Sequence, residues 1–350
     1  MSRSESRRIT QRQIAHLAGV SQATVSLVLN GRTGDGVRIP DETRERVLRV
    51  IEETHYVADP SARRLAGADN RILGVFTYEP AFPTRSLDFY TPLLNGIESG
   101  AEKLGSDLLL FTSTPVVDGR RRLFHERNRL RLADGVLLLG VEMDSEELAR
   151  LVDEGIRAVA VGRRDTPAIP YVGIDYAAAA AELVRRAIAL GHDRLLYLRI
   201  DSEGESVKDR LEGVAAGVAG TDVVWTDRVS DGSALEDDWA AVTAFAPSLL
   251  VVESPDVAEA LYDRAVEDGY EIPRDLSIVA LGSSPRLSPE DVDFTRLNPP
   301  RTELGERAVH LLARVLSDDD YPAAEELRTL LPCPIVTGTT LSAPTQEAGR

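Results

Sequence analysis

The chain has 350 residues, 43% of them hydrophobic, with a formal net charge of −17. That length allows two or three domains around a sizeable core. A single cysteine, Cys333, excludes an intrachain disulfide; Cys and His nowhere take metal-cluster spacing, and no run is apolar and long enough to span a membrane.

The first predicted elements are two short helices joined by a tight turn. Thr10 followed by Gln13 makes a capping box, so a helix starts at Gln11. Ile14, Ala15 and Leu17 give it an apolar side, and Gly19 can take the left-handed conformation that ends it. Ser21 is a good N-cap for a second helix, in which Val25, Val28 and Leu29 recur at helical spacing. Gln22, Ala23, Ser26, Leu27 and Asn30 are left toward solvent or DNA. The pattern reads as a helix-turn-helix whose second helix can enter a major groove; a plain helical hairpin is the alternative. A third helix is expected over Asp41–Thr54, with Val47, Leu48, Val50 and Ile51 on one side.

From Ile72 onward, short apolar runs alternate with amphipathic helices. Strands are expected at Leu73–Thr77, Asp107–Phe111, Gly135–Leu139, Ala158–Val161 and Tyr171–Ile174. A second series covers Leu195–Arg199, Asp222–Trp225, Leu249–Val252 and Ser277–Leu281. Helices such as Pro92–Leu104, Ser145–Gly155, Tyr176–Leu190 and Asp256–Gly269 lie between them. This alternation implies parallel sheets covered on both faces, in two lobes of similar make. Ligands bind such sheets beyond the carboxyl ends of the strands, so the cleft between lobes is the natural site and its closure a hinge motion.

The charge is unevenly spread. Residues 1–71 hold twelve Arg and nine Asp or Glu, a net of +3, which leaves −20 for the rest. A basic head on an acidic body fits a DNA-binding module attached to a sensor. No Gly-x-Gly-x-x-Gly follows the first strand, and neither a P-loop lysine nor a nucleophile elbow occurs. The five histidines, His16, His55, His125, His192 and His310, fall in unrelated contexts. The expectation is a protein without cofactor or catalysis. With no signal-peptide pattern at the N-terminus, a cytoplasmic, nucleoid-associated location without membrane contact is expected.

The run ITQRQIAHLAGVSQATVSLVLNG, then ETRERVLRVIEETHYVADPSARRLAG, resembles the LacI/GalR family of bacterial transcription regulators. Later segments fit that family's effector domain in order: FYTPLLNGIESGAEKLG, ADGVLLLG, YVGIDYAAAAAELVRRAIALGH, DRLEGV and IPRDLSIVALGSSP. The resemblance implies an all-α helix-turn-helix domain over 1–57, a hinge over 58–71, and an effector-binding and dimerisation domain over 72–350. That last domain is expected to be a bilobal α/β fold like periplasmic sugar-binding proteins, with two parallel-sheet, Rossmann-like lobes. Lobe 1 would take about 72–162 and 299–321, lobe 2 about 171–285 and 328–341. Crossings would fall near 162–171, 285–299 and 321–328.

By the same resemblance, Gln22, Ala23 and Leu27 read bases, and Thr10, Ser21, Ser26 and Asn30 contact phosphates. The physics agrees for Gln22, whose amide can pair bidentately with adenine, while Ala23 and Leu27 offer apolar contact to a thymine methyl. Family members often carry Arg where this chain has Leu27, so Leu27 reads equally as a packing residue. The segment Tyr56–Gly67 resembles the family's hinge. Leu65 falls where an apolar side chain wedges into the minor groove, flanked by Arg63 and Arg64 as phosphate contacts. An ordinary charged linker is the other reading.

In the effector domain, Arg210 matches the family's ligand-clamping arginine, suited to gripping hydroxyls or a carboxylate. Arg163, Asp175 and Asp256 also match family positions. Phe89 and Tyr90 match an aromatic pair, whose faces suit sugar rings. Alternatively, Asp175 and Asp256 cap helices, Arg163 belongs to a structural ion pair, and the aromatics belong to the core. Gly162, Pro255 and Gly282 stand where relatives often have Asp, Asn and Asp, which weakens the case for a simple monosaccharide. The implied function is an allosteric regulator, repression being the commoner family outcome. It would bind a near-palindromic double-stranded operator as a homodimer, under control of a sugar-like small molecule.

Overall fold

The computed structural model describes residues 9–30, 39–54, 56, 70–80, 90–166, 169–230, 232, 234–283 and 292–345. The chain divides into two compact units, Met1–Asn70 and Arg71–Arg350.

In the first unit, three helices span Gln11–Ala18 (α1), Gln22–Asn30 (α2) and Asp41–Thr54 (α3). The capping box forms: Gln13 N donates to the Thr10 hydroxyl and Thr10 N to Gln13 Oε1, the latter at 2.9 Å. Gly19, at φ 65° and ψ 37°, ends α1 and gives its N–H to carbonyls of the last turn. The Arg46 Nε, from α3, donates to the Ala18 carbonyl at 2.9 Å, satisfying another carbonyl at that helix end. Ile14, Ala15, Ala18, Val25, Val28 and Val47 form the core, with Val20, Leu29, Val50 and Ile51 packed against it. Leu17 and Leu48, expected on the apolar sides, are 58% and 45% exposed. A core built from Ile14, Ala15 and Ala18 lies on the other side of α1 from Leu17.

The second unit holds two six-stranded sheets. The first has strands Ile72–Thr77 (β1), Asp107–Phe111 (β2), Gly135–Leu139 (β3), Ala158–Val161 (β4), Tyr171–Asp175 (β5) and Arg328–Pro332. Their order is β2-β1-β3-β4-β5 followed by Arg328–Pro332, all parallel. The second sheet has Arg194–Ile200 (β6), Val224–Ser230 (β7), Leu249–Val252 (β8), Ser277–Ala280 (β9) and Thr295–Leu297 (β10), in the order β7-β6-β8-β9-β10. These are parallel too, and among the described strands of this sheet only the edge strand Ile335–Val336 runs antiparallel. Arg328–Pro332 is β11 and Ile335–Val336 is β12 in chain order. Both sheets repeat one doubly wound topology, with a switch point between β1 and β3 and another between β6 and β8.

This pairing moves the lobe boundaries. Tyr171–Asp175 and Arg328–Pro332 belong to the first sheet, not to the second lobe. The chain therefore crosses at Asp175–Tyr176, between Leu297 and Arg301, and between Pro332 and Ile335, rather than near 162–171 and 321–328. The physical reason is that β5 and the Arg328–Pro332 strand complete the first sheet side by side, Tyr171 opposite Arg328 and Ile174 opposite Leu331.

Helix pairs set the mouths of the two sheets. Helix Tyr90–Leu104 (α4) packs on Arg301–Leu316 (α10) in the first lobe, and Tyr176–Ala189 (α6) packs on Glu205–Val218 (α7) in the second. The first contact is very close. A Cβ on Gly305 would lie 2.2 Å from the Leu93 carbonyl oxygen, and one on Gly96 would lie 1.9 Å from that of Thr302. Only glycine allows this approach, which fixes the N-terminal turns of both helices at the same end of the sheet. The other α-helices among the described residues are Ser145–Asp153 (α5), Leu235–Phe245 (α8) and Pro255–Glu267 (α9).

Candidate functional site

Helix α2 begins at Ser21, whose hydroxyl accepts from Thr24 N at 3.1 Å. Val25 and Val28 are buried, which turns Gln22 and Ala23 to the exposed side with Ser21 and Thr10. Ser26 and Leu27 are half-buried, and Leu27 stands outside the core cluster. Gln22 Nε2 donates to Gln11 Oε1 at 3.3 Å, so a residue of α1 orients the amide at the start of α2. The Thr10 and Ser21 hydroxyls each cap a helix N-terminus, where phosphate is also favoured. Asn30 closes α2, its side chain outside the description. Arg63, Arg64, Leu65 and Phe89 lie outside the described residues.

In the second unit, a cavity of about 240 Å³ opens between the two lobes. It sits beyond the carboxyl ends of β3, β4, β5, β6, β8 and β9, marked by Leu139, Val161, Ile174, Ile200, Glu253 and Gly282. The close helix pair α4 and α10 delivers Tyr90, Leu93, Arg301 and Leu304 to its rim; α6 and α7 deliver Tyr176, Ser206, Asp209 and Arg210.

Three of the expected residues, Tyr90, Arg163 and Arg210, line this cavity, and so do Gly162, Pro255 and Gly282. Arg210 is buried and laid flat on Tyr176, its guanidinium carbon 3.6 Å from the ring centroid. Its Nε donates to the Leu281 carbonyl at 3.0 Å and its Nη1 to the Ser206 carbonyl at 2.9 Å and to Glu253 Oε1 at 3.3 Å. Glu253 Oε2 in turn accepts from the Tyr197 hydroxyl at 2.9 Å and from Ile200 N at 3.2 Å. Burial, then the Glu253 carboxylate, pushes the Tyr197 hydroxyl well above its ordinary range, which keeps it a donor. Arg210 is thus held rigidly while its Nη2 has no acceptor among the described residues.

Arg163 forms a two-pronged pair with Asp209, Nε to Oδ2 at 2.8 Å and Nη2 to Oδ1 at 2.7 Å, and a second bond to Asp165. The hydrogen bond to Asp209, followed by that to Asp165, raises the guanidinium further above its ordinary value. Tyr90 gives its hydroxyl to Glu79, and burial, then Glu79, pushes that phenol up. The remaining two positions lie outside the lining. Asp175 caps α6, accepting from Ala178 N at 2.9 Å. Asp256 is exposed in the first turn of α9, where a carboxylate favours the helix dipole.

Arg164, Tyr176, Asp209, Glu253 and Arg301 also line the cavity, beyond the residues singled out from sequence. Two of them carry a legible signal. Arg164 and Glu253 are charged residues placed one to three positions past a fully apolar strand, where the strand's carboxyl end opens. Arg301, at the start of a helix after two prolines, has no such mark. Polar links also join the lobes beside the cavity. Arg164 Nη1 donates to Glu205 Oε2 at 2.7 Å, and Glu142 Oε1 accepts from the Ser202 hydroxyl at 2.6 Å and from Glu203 N at 2.9 Å. Among the described residues, no cluster of His, Cys, Asp or Glu is placed to hold a metal ion.

The chain thus combines a helix-turn-helix head with a two-lobed domain that holds a cavity between its lobes. Residues 10–59 match the family model "Bacterial regulatory proteins, lacI family", and residues 184–341 match "Periplasmic binding protein-like domain". Over these segments the chain is similar to bacterial transcription regulators of the LacI family. The HTH-type transcriptional regulator CelR of Thermobifida fusca is 28% identical over 345 residues, covering 93% of this chain and 97% of CelR. The sucrose operon repressor of Klebsiella pneumoniae is 31% identical over 216 residues, 61% of this chain and 62% of the repressor. Among solved structures, the lac repressor dimer bound to operator and the anti-inducer ONPF superposes with a TM-score of 0.72 at 19% identity, over 96% of this chain and all of that one. A CelR–cellobiose complex gives 0.65 at 22%, over 95% of this chain and all of that one. These two likenesses establish the fold. No described helix is long and apolar enough to cross a membrane.

Proposed function

We propose that this regulator binds a near-palindromic operator as a homodimer through α2, and that a sugar-like molecule between the lobes of the second unit sets its operator affinity. In this reading the chain is a non-catalytic cytoplasmic regulator, associated with the nucleoid through its DNA. Its head, a hinge over 58–71 and the two-lobed domain from 72 onward divide the labour. Gln22, Ala23 and Leu27 read bases, with Thr10, Ser21, Ser26 and Asn30 on phosphates and Arg63, Arg64 and Leu65 in the hinge. Tyr90, Arg163 and Arg210 carry the effector site, with Phe89 beside Tyr90; Asp175 and Asp256 support helix ends next to it.

The observation that carries the reading is the buried, rigidly held Arg210 facing a cavity built from both lobes. A ligand there touches both lobes at once, so it favours one lobe arrangement over another by its differential contacts. The sugars named for the relatives, cellobiose for CelR and sucrose for the operon repressor, support the ligand class. The test is fluorescence anisotropy on labelled DNA from upstream of the protein's own gene, with and without candidate sugars and sugar derivatives. The expected result is salt-sensitive, sequence-selective binding that shifts when ligand is added, with ligand affinity shifting by the same factor when operator is present. Binding that ignores DNA sequence at every ligand concentration would overturn it.

A further inference from the structure

One carboxylate joins two pieces of the cavity wall from behind. Tyr90, the first residue of α4, lines the cavity, and its hydroxyl donates to Glu79. The same carboxylate accepts from Val141 N, at 3.2 Å to Oε1 and 3.4 Å to Oε2. Val141 lines the cavity too, in the loop that follows β3. The backbone at Glu79 is pinned. Its carbonyl accepts from Nη1 of Arg121, a buried guanidinium that also donates to the Thr77 and Thr114 carbonyls. One residue earlier, Tyr78 N donates to the Leu139 carbonyl at 2.8 Å. A charge-assisted bond from a carboxylate anchored in this way is strong and directional. The second lobe grips the same loop, 140–142, at the start of α7. Glu142 Oε1 accepts from the Ser202 hydroxyl and from Glu203 N. Gly204, which caps α7, lies against the Val141 carbonyl, so close that a Cβ there would stand 2.5 Å from its oxygen. Arg164 ties the Gly140 carbonyl to Glu205 Oε2 in the first turn of α7. That helix carries Asp209 and Arg210 to the cavity.

We infer that Glu79 is a positioning residue that couples the cavity to closure of the cleft. A shift of Tyr90 imposed from inside the cavity reaches loop 140–142 through Glu79 and the Val141 amide. From there it passes to the first turn of α7, the helix that bears Arg210. Glu79 and Glu142 themselves stand outside the lining, so the relay runs behind the wall and leaves the occupant's own contacts to other residues. Coupling between two places requires one element that both of them bias. Loop 140–142 is such an element, held by the first lobe through Val141 N and by the second through the Glu142 side chain. This inference rests on the reading of the cavity as the effector site and names the residues that carry its occupancy to the lobes.

The test is amide hydrogen exchange on the full chain, resolved to single residues and run without DNA or added ligand. Rates at Val141 and Glu203 are divided by the rate at Leu138, in the buried strand β3 of the same protein, so a general loss of stability cancels. Tyr90→Phe removes only the hydroxyl and keeps the ring, whereas Glu79→Ala removes the bridge. Both should speed exchange at Val141, and at Glu203 across the cleft, by about tenfold or more, the size of one hydrogen bond to a charged group. The Glu203 amide decides the matter, because its own acceptor, Glu142, is intact in both variants. A purely local role for Glu79 would speed Val141 alone, and that result overturns the inference. Wild-type exchange at Val141 in Tyr90→Phe overturns it equally. Glu79→Gln keeps one acceptor oxygen, so both amides should exchange more slowly than in Glu79→Ala; equal rates would place the effect outside the carboxylate's hydrogen bonds and overturn the relay. Operator and sugar titrations are separate measurements. Their failure removes effector control and leaves the Glu79 relay standing.

Discussion

Replacing Glu253 by Ala probes a deeply buried charge at the cavity. Glu253 is 4% exposed and Arg210 is 7% exposed. The substitution leaves the Arg210 guanidinium without its carboxylate, and the Tyr197 hydroxyl and Ile200 N–H without an acceptor. Breaking a buried pair by removing one partner costs about 3–5 kcal/mol, because the surviving charge stays out of water. The unit Arg71–Arg350 has 280 residues, and an unfolding entropy of about 2.1 cal/mol/K per residue gives it roughly 0.6 kcal/mol/K. A loss of that size therefore lowers Tm by about 5–8 °C. Arg210→Met on top of Glu253→Ala removes the stranded charge, so the double variant should recover part of the loss. Differential scanning calorimetry and urea titration on the four proteins of the cycle measure this directly. The reasoning fails if Glu253→Ala costs under about 1 kcal/mol, or if the two losses add to within about 0.5 kcal/mol, since residues sharing a buried pair must couple.

Three further outcomes are expected. Gln22→Ala should relax operator preference at one base pair by about 1–3 kcal/mol, read as a flattened position in a binding-site selection; an unchanged selection removes the base-reading role. Gly305→Ala forces a methyl toward the Leu93 carbonyl and should destabilise the second unit by about 1–3 kcal/mol in urea titration, while an unchanged midpoint would contradict the helix contact. Burial pushes the His192 imidazole below its ordinary 6.5. As pH falls through that value the unfolded chain takes up the proton before the folded one, so stability should decline below about pH 6.5 and level off once the folded-state value is passed. His192→Gln should remove that part of the slope in melts run across the range, and an identical slope would place the proton uptake elsewhere.

The head was legible because its signals are local. Thr10 and Gln13, Gly19 and Ser21 each act on backbone groups within four residues, so the sequence alone places the caps. The sheet strands were legible where they are buried on both faces, as in Gly135–Leu139 and Leu249–Val252, because such strands read as continuous apolar runs. The edge strands carry no such pattern. β7 starts at Val224 and runs to Ser230 through Asp227 and Arg228, later and longer than the apolar run Asp222–Trp225 indicates. Which sheet receives Arg328–Pro332 is settled by pairing with β5, a contact more than 150 residues away in sequence. The cavity divides the same way. Arg210 sits in a recognisable segment, whereas Glu253 and Arg301 acquire their roles only when two sheets and two helix pairs meet.

The links across the cleft bear on how a ligand would act. Arg163 with Asp209, Arg164 with Glu205, and Glu142 with Ser202 and Glu203 all join residues beyond the first sheet to residues beyond the second. Gly204 lies so close to the first lobe that a Cβ there would stand 2.5 Å from the Val141 carbonyl oxygen. The Arg164–Glu205 pair is the most buried, with side chains 3% and 15% exposed. Opening the cleft returns both ions to water, so the cost of separating them is partly offset by hydration, unlike the removal of one partner. Such links therefore bias the lobes toward closure without locking them, leaving the balance within reach of a ligand's differential binding energy.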